Sequence, residues 1–355
     1  MDTSDRRRRI SARVAELDLD GLLVTRLPNV RYLTGFTGSY AQLLLTRTDA
    51  VFLTDGRYAQ QSMRQVPDVP RRVYTGEFPP AFRDACAGLG VSRIAFESAG
   101  VTHKTFTDIS SPGIELIPTT NEVELLRWVK DDEERDHLRA AQSIADDVFD
   151  LIVGKLAEGM SEAEVGFEID LASRRAGATG PAFDTIVAFG ENAAEPHHRP
   201  GDRPLRRGDI VKLDFGCVVE GYHSDMTRTV AFGDPPTRLR EVYEVVRAAQ
   251  QAGVEAVSAG VTGAEADRAA RDVIREAGFA ESYRHSLGHG VGLEVHEGPS
   301  LRPGGEDVLP EGAVVTVEPG IYLEGIGGVR IEDMVEVEGN GARVLPRTTK
   351  ELLVL

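Results

Sequence analysis

Apolar positions change their rhythm along the chain, and each change predicts a different kind of element. Residues 6 to 17 space them for one face of a helix. Three short apolar runs follow, LDGLLVT, AQLLLT and AVFLTDG, each bounded by turn formers as strands are. VSRIAFES and IELIPTT predict further strands, with helical spacing around 57 to 66 and 80 to 89. Alternation of the two types predicts a small α/β domain over residues 1 to 121. From 122 to 158 the rhythm is that of long helices, EVELLRWVK and then DEERDHLRAAQSIADDVFDLIVGKLAEG, without Gly or Pro before Gly154. These carry the chain into a second domain, residues 122 to 355, in keeping with a length of 355 residues.

The second domain holds an internal repeat. GMSEAEVGFEIDLASRRAG (159 to 177) aligns without gaps with GVTGAEADRAARDVIREAG (260 to 278). Both predict a helix opened by Ser161 or Thr262, completed as a capping box by Glu164 or Glu265, and closed by Gly177 or Gly278. At nearly the same offset RGDIVKLDFGCVVEG (207 to 221) matches EGAVVTVEPGIYLEG (311 to 325), with Asp214 opposite Glu318. Two similar αβ halves facing each other are expected.

Composition narrows the partners. A chain 41% hydrophobic and 27% charged is of ordinary globular type. Its formal charge of −17 repels phosphate, which excludes nucleic acid and an anionic membrane as the main partner. Cys86 and Cys217 stand alone, without CxxC spacing, and are expected as buried small hydrophobes rather than a disulfide or a thiolate zinc site. MDTSDRRRRI lacks an apolar segment behind its charges, so a cytoplasmic protein is expected, with the arginines at 6 to 9 on the solvated face of the first helix.

The repeat also gathers chemistry. Strand 210 to 218 turns at Glu220-Gly221 and returns through HSDMTRTVAF. Alternation puts Asp214 on one face with Lys212, away from Val211, Leu213 and Phe215, and counting from the turn sets Asp214 opposite Asp225. Like charges across a ladder are destabilising unless a cation lies between them. Glu318 on VVTVEPG and Glu332 on GVRIEDMVEV repeat the situation, Arg330 sharing a face with Glu332. If the halves are related by pseudo-symmetry, four carboxylates converge, and His289 of the glycine-rich HSLGHGVGLEVHEGP joins them. Oxygen ligands plus one imidazole suit a pair of divalent ions such as Mn²⁺, Co²⁺ or Zn²⁺ and a hydrolytic reaction.

The ordered set LDFG, SDMTRT, HSLGHGVGLEVHE, VEPGIY and VRIED resembles the pita-bread metallopeptidases, which include aminopeptidase P, prolidase and methionine aminopeptidase. The resemblance covers residues 122 to 355, and a smaller N-terminal α/β domain ahead of it resembles the proline-specific branch. It implies an α+β fold: a creatinase-like N-terminal domain followed by a pseudo-symmetric catalytic domain. It implies that Asp214, Asp225, His289, Glu318 and Glu332 bind two metal ions, with Glu318 also taking a proton from water. It further implies that His296 assists at the scissile peptide, that His285 and His197 line the substrate pocket, and that Tyr322 and Arg330 lie near the substrate. His198 beside His197 leaves that assignment open, although His197 has the family's spacing to Asp214; PHHRP is equally a polar turn. His223 is as readily solvated as functional, Arg330 as readily a screen for the carboxylates, and His103 and His137 are expected on the surface.

The activity implied is removal of the residue preceding proline from short peptides by a homodimeric enzyme. An aminopeptidase P type is favoured by the compact N-terminal domain, with an Xaa-Pro dipeptidase as the alternative. A binding module that has lost catalysis is a rival of another class, as is a creatinase-like hydrolase, which uses a different carboxylate set.

Overall fold

Five of the strands that the apolar runs predict assemble into one six-stranded mixed sheet. In the computed structural model, which describes residues 2–355, their order is Arg71–Tyr74, Ala50–Asp55, Gln42–Thr46, Gly21–Val24, Arg93–Glu97 and Glu115–Thr119. The unpredicted member, Arg71–Tyr74, lies at the edge and is mostly solvated, so it needs no apolar alternation. This sheet belongs to the first of two units, which ends at Arg127; the second is Trp128–Leu355.

The first helix, Thr3–Glu16, does not leave its arginines in water as expected. Arg6 and Arg7 are buried. Four consecutive residues cover more than one helix face, and these two share the side of Ile10 and Val14. Arg6 donates to Tyr32 O (3.1 Å) and Arg7 to Leu33 O (2.7 Å), satisfying carbonyls at the C-terminal end of helix Leu27–Thr34.

Of the two helices expected over residues 122 to 158, the first is short, Glu124–Trp128. Asp131 caps a new helix, Asp132–Val153, with Glu134 completing the box. Both repeat helices form as expected, Glu162–Arg175 and Gly263–Glu276, each with its capping box. Gly177 and Gly278 close them at φ of 107° and 84°, a backbone region that costs an L side chain strain. The sheets follow the same repeat. Val211 pairs with Val230 in the first half and Val315 with Val335 in the second.

Each half has its own core. Val211, Leu213 and Phe215 pack with Phe149, Val165 and Ile169; Val315 and Val317 pack with Val246, Ala270 and Ile274. Burial of such side chains contributes about 1.5–3 kcal/mol apiece. Period-two alternation then commits the intervening residues, Lys212 and Asp214 or Thr316, to the opposite face. Cys86 and Cys217 are unpaired and buried, and no helix among the described residues is long and apolar enough to cross a membrane.

Candidate metal centre and active site

Strand register decides how the acids meet. The turn Glu220-Gly221, with φ of 46° and 74°, joins Val219 directly to Tyr222. Continuing that register pairs Asp214 with Thr227 rather than with Asp225. Counting back was therefore two residues out: Asp225 lies diagonally from Asp214, on the same face, with carboxylate oxygens of the two within 4.8 Å. In the second half, Val317 pairs with Asp333, which leaves Glu318 and Glu332 just beyond the ends of their strands. The ladder stops there because Glu318 N donates to Leu287 O and Glu332 N to Thr227 O.

All four acids meet. Ligand oxygens of Asp214, Asp225 and Glu332 lie within 4.8 Å of one another. His289 Nε2 is 3.4 Å from Glu318 Oε1 and 3.6 Å from Asp225 Oδ2. His289 comes from the short strand Gly288–Gly290, and a Cβ on Gly288 would overlap Thr316 O, so only glycine lets the two strands close to this distance.

Three carboxylates cannot all be ionised at such range without a counter-charge. Burial, and then the charges of Glu332 and Asp214, push the Asp225 carboxyl well above the ordinary range. Burial followed by Glu318 and Asp214 does the same to Glu332. Burial also raises Asp214, against the pull of Arg330. Glu318 behaves oppositely: burial would raise it, but His289, His285 and Arg330 bring it down to about 2. In turn Glu318 raises His289, overcoming burial. Asp214 Oδ1 and Glu332 Oε1 are buried and accept no hydrogen bond. Buried acceptors left open in this way, beside mutually repelling carboxylates, are what a divalent cation would satisfy. The donor set fits the group.

A cavity of about 360 Å³ opens beside the cluster. His285, His296 and His197 line it, as do Phe183, Ile186 and Pro196. His296 stacks edge-on against His289 at 4.3 Å between ring centres. Burial lowers both His285 and His296 from the usual imidazole value, so they are neutral at neutral pH. Of the PHHRP pair, His197 lines the cavity; both ring nitrogens of His198 face carboxylates instead, Glu162 at 2.9 Å and Glu195 at 2.8 Å. Buried Tyr322 has its hydroxyl 2.9 Å from His285 Nε2 and accepts from Arg330 Nη1 at 2.8 Å. Arg330 also pairs with Asp214 and donates to Thr227 Oγ1. His223 is held by Gly292 O, and His137, only partly exposed, stacks on Tyr222.

Thr227 escaped the reading of the sequence. Its hydroxyl donates to Glu332 Oε2 at 2.7 Å and accepts from Arg330, so it orients one carboxylate of the cluster from behind. The signal was present, since Thr227 follows Asp225 at the two-residue period of a strand.

The chain matches metallopeptidase family M24 over residues 136–339 and the creatinase/prolidase N-terminal domain over residues 6–129. It is 42% identical over 342 residues to the uncharacterized peptidase YqhT of Bacillus subtilis, covering 96% of this chain and 97% of that one. Among solved structures, the Xaa-Pro dipeptidase from Bacillus anthracis superposes with a TM-score of 0.97 at 40% identity over 100% of both chains. The X-Pro aminopeptidase from Thermotoga maritima gives 0.89 at 37% identity, over 97% of this chain and all of that one. With full-length matches of this depth, and a buried acid cluster where the repeat's strands end, the chain belongs to metallopeptidase family M24 and is a metallopeptidase.

Proposed function

We propose that this chain is a dinuclear Xaa-Pro dipeptidase, freeing proline from the residue before it. The observation that carries the reading is the meeting of Asp214, Asp225, Glu332, Glu318 and His289 at one wall of a cavity otherwise lined by imidazoles and apolar side chains. At about 360 Å³ the cavity stands at the small end of the ~300–1,000 Å³ usual for small-molecule sites, a size suited to a dipeptide.

Those five residues would hold two divalent cations; Mn²⁺ is our choice, and Co²⁺ or Zn²⁺ suit the same donors. When bound, such ions supply Lewis acidity that polarises a carbonyl and lowers the pKa of water from 15.7 towards ~7. Glu318, ionised at neutral pH, accepts the proton of the attacking water and returns it to the leaving prolyl nitrogen. Neutral His296 donates a hydrogen bond to the carbonyl oxygen as charge develops on it. His285, braced by Tyr322, and His197 orient the peptide, while Arg330 fixes Asp214 and faces the cavity beside them. Phe183, Ile186 and Pro196 offer apolar surface to a substrate whose scissile amide, being tertiary, has no N–H.

The sequence alone leans to the aminopeptidase; the match along the whole chain to the Bacillus anthracis dipeptidase supports the dipeptidase instead. The Thermotoga maritima similarity keeps the aminopeptidase as the second reading. A panel of Xaa-Pro and Xaa-Pro-Yaa peptides, assayed after chelation and readdition of single metals, separates them. Dipeptides are expected to be cleaved with the higher kcat/KM; equal or better cleavage of tripeptides would establish the aminopeptidase, and no cleavage with any metal would defeat both. An inactive binding module finds less support, because no member of the ligand set is missing. A homodimer in the cytoplasm completes the proposal, the first part of which light scattering measures.

A further inference from the structure

Glu162 is the first residue of helix Glu162–Arg175, where an acidic side chain is ordinarily solvated and favoured by the helix dipole. Its carboxylate is instead fully buried. Oε1 accepts from Phe189 N and Asn192 Nδ2, both at 2.9 Å. Oε2 accepts from Gly201 N at 3.1 Å and lies 2.9 Å from His198 Nε2. One carboxylate thus grips both ends of segment 189–201, and within that segment His197 faces the cavity beside the metal cluster.

The segment is also held from the side of the cluster. Lys212, fully buried, donates through Nζ to Ala193 O (3.2 Å), Glu195 O (2.5 Å) and Pro196 O (3.4 Å), and Arg330 Nη1 reaches Pro196 O at 3.2 Å. His197 is therefore flanked by a carbonyl that accepts from both Lys212 and Arg330 and by an imidazole tied to Glu162. The repeat shows that the helix itself does not need this acid. The equivalent helix opens with the same capping box but has Gly263 in the place of Glu162, with no room there for a Cβ beside Ser300 O. A buried carboxylate is costly unless every acceptor is engaged, and the half of the molecule that uses one also carries His197.

We propose that Glu162 is a positioning residue: acting through His198, Asn192 and the two ends of segment 189–201, it holds His197 against the cavity in the one orientation that meets substrate. This rests on the reading of the cavity as the peptide site, and its test separates the two. Glu162→Gln sets an amide N–H₂ against N–H donors, while the milder His198→Ala removes only the flanking tether and carries the test if the first variant does not fold. Measured on an Xaa-Pro dipeptide, Glu162→Gln is expected to lower kcat/KM about 10- to 100-fold, as misplacement by about 1 Å does. His198→Ala is expected to lower it less, and each by under about 2-fold once His197→Ala is already present, because nothing then remains to be positioned. Hydrogen exchange of amides 190–201 is expected to quicken in Glu162→Gln, with strand Asp209–Phe215 unchanged. The same loss with and without His197, unaltered exchange in the segment, or wild-type kcat/KM in His197→Ala would each overturn the proposal. A wild type inert towards every Xaa-Pro peptide would count against the proposed function, and exchange then decides the clamp by itself.

Discussion

Replacing Asp225 by Asn should make the metal-free protein more stable and the metal-supplied protein less so. Oxygens of Asp214, Asp225 and Glu332 lie within 4.8 Å of one another, and at an effective dielectric of about 20 two unit charges at that distance repel by about 3.5 kcal/mol. Asn at 225 deletes two such repulsions, about 7 kcal/mol if all three acids were ionised. Protonation limits the gain, because a carboxyl of ordinary pKa near 4 can escape by binding a proton, at a cost of about 5 kcal/mol at pH 8. Burying an amide that is only partly hydrogen-bonded subtracts about 1–3 kcal/mol more. A net stabilisation of about 2 kcal/mol remains, or ~4–8 °C in Tm for a unit of roughly this size. Scanning calorimetry of both proteins in EDTA tests this directly. With Mn²⁺ at about 100 times its Kd the wild type should gain a further ~2.7 kcal/mol, and the variant, having lost a ligand, much less. A metal-free variant that melts below the wild type, yet shows the full gain with Mn²⁺, would refute the idea that these acids are held together against their own repulsion for a cation.

Glu318→Gln should lower kcat on an Xaa-Pro substrate by about 10²–10⁴-fold, the range for loss of a general base; retention of more than a tenth of the activity would exclude that role. The metal-free protein should lose stability as pH rises from about 4 through the raised values of Asp225 and Glu332, measured as Tm in EDTA. Asp225 and Glu332, raised in the fold, contribute stability that is complete below their unfolded values near 4 and is lost as pH climbs through the raised ones. His285 and His296, lowered in the fold, act in the opposite sense only below about 6.5, and Glu318 only as pH falls towards 2. Gly288→Ala drives a Cβ into Thr316 O and should cost about 3 kcal/mol or more, with weaker metal retention by elemental analysis; an unchanged Tm would show that the strand pair has slack.

Asp214 was legible because alternation on a strand is a local property: with Lys212 it stands out against core-facing Val211, Leu213 and Phe215. Register was harder, since the identity of a cross-strand partner depends on the number of residues absorbed by the turn. Here Val219 meets Tyr222 directly, which moved Asp225 to a diagonal. Arg6, Arg7 and Glu162 were illegible for a different reason. Their partners lie 26 to 61 residues away, and a charged side chain in a helix gives no local sign of being buried.

The duplicated architecture bears on descent. Asp214 and Asp225 come from one half, Glu318 and Glu332 from the other, so neither half alone owns the donor set. A half-length ancestor could have assembled a comparable centre only by associating with its own twin about a two-fold axis. Fusion into one polypeptide would then have released the halves from identity, and the centre records it: Ala188, paired with Lys212, stands where the other half has His289 beside Thr316. Two cations held here would inhabit unequal environments, a distinction that a symmetric pair of chains could never make.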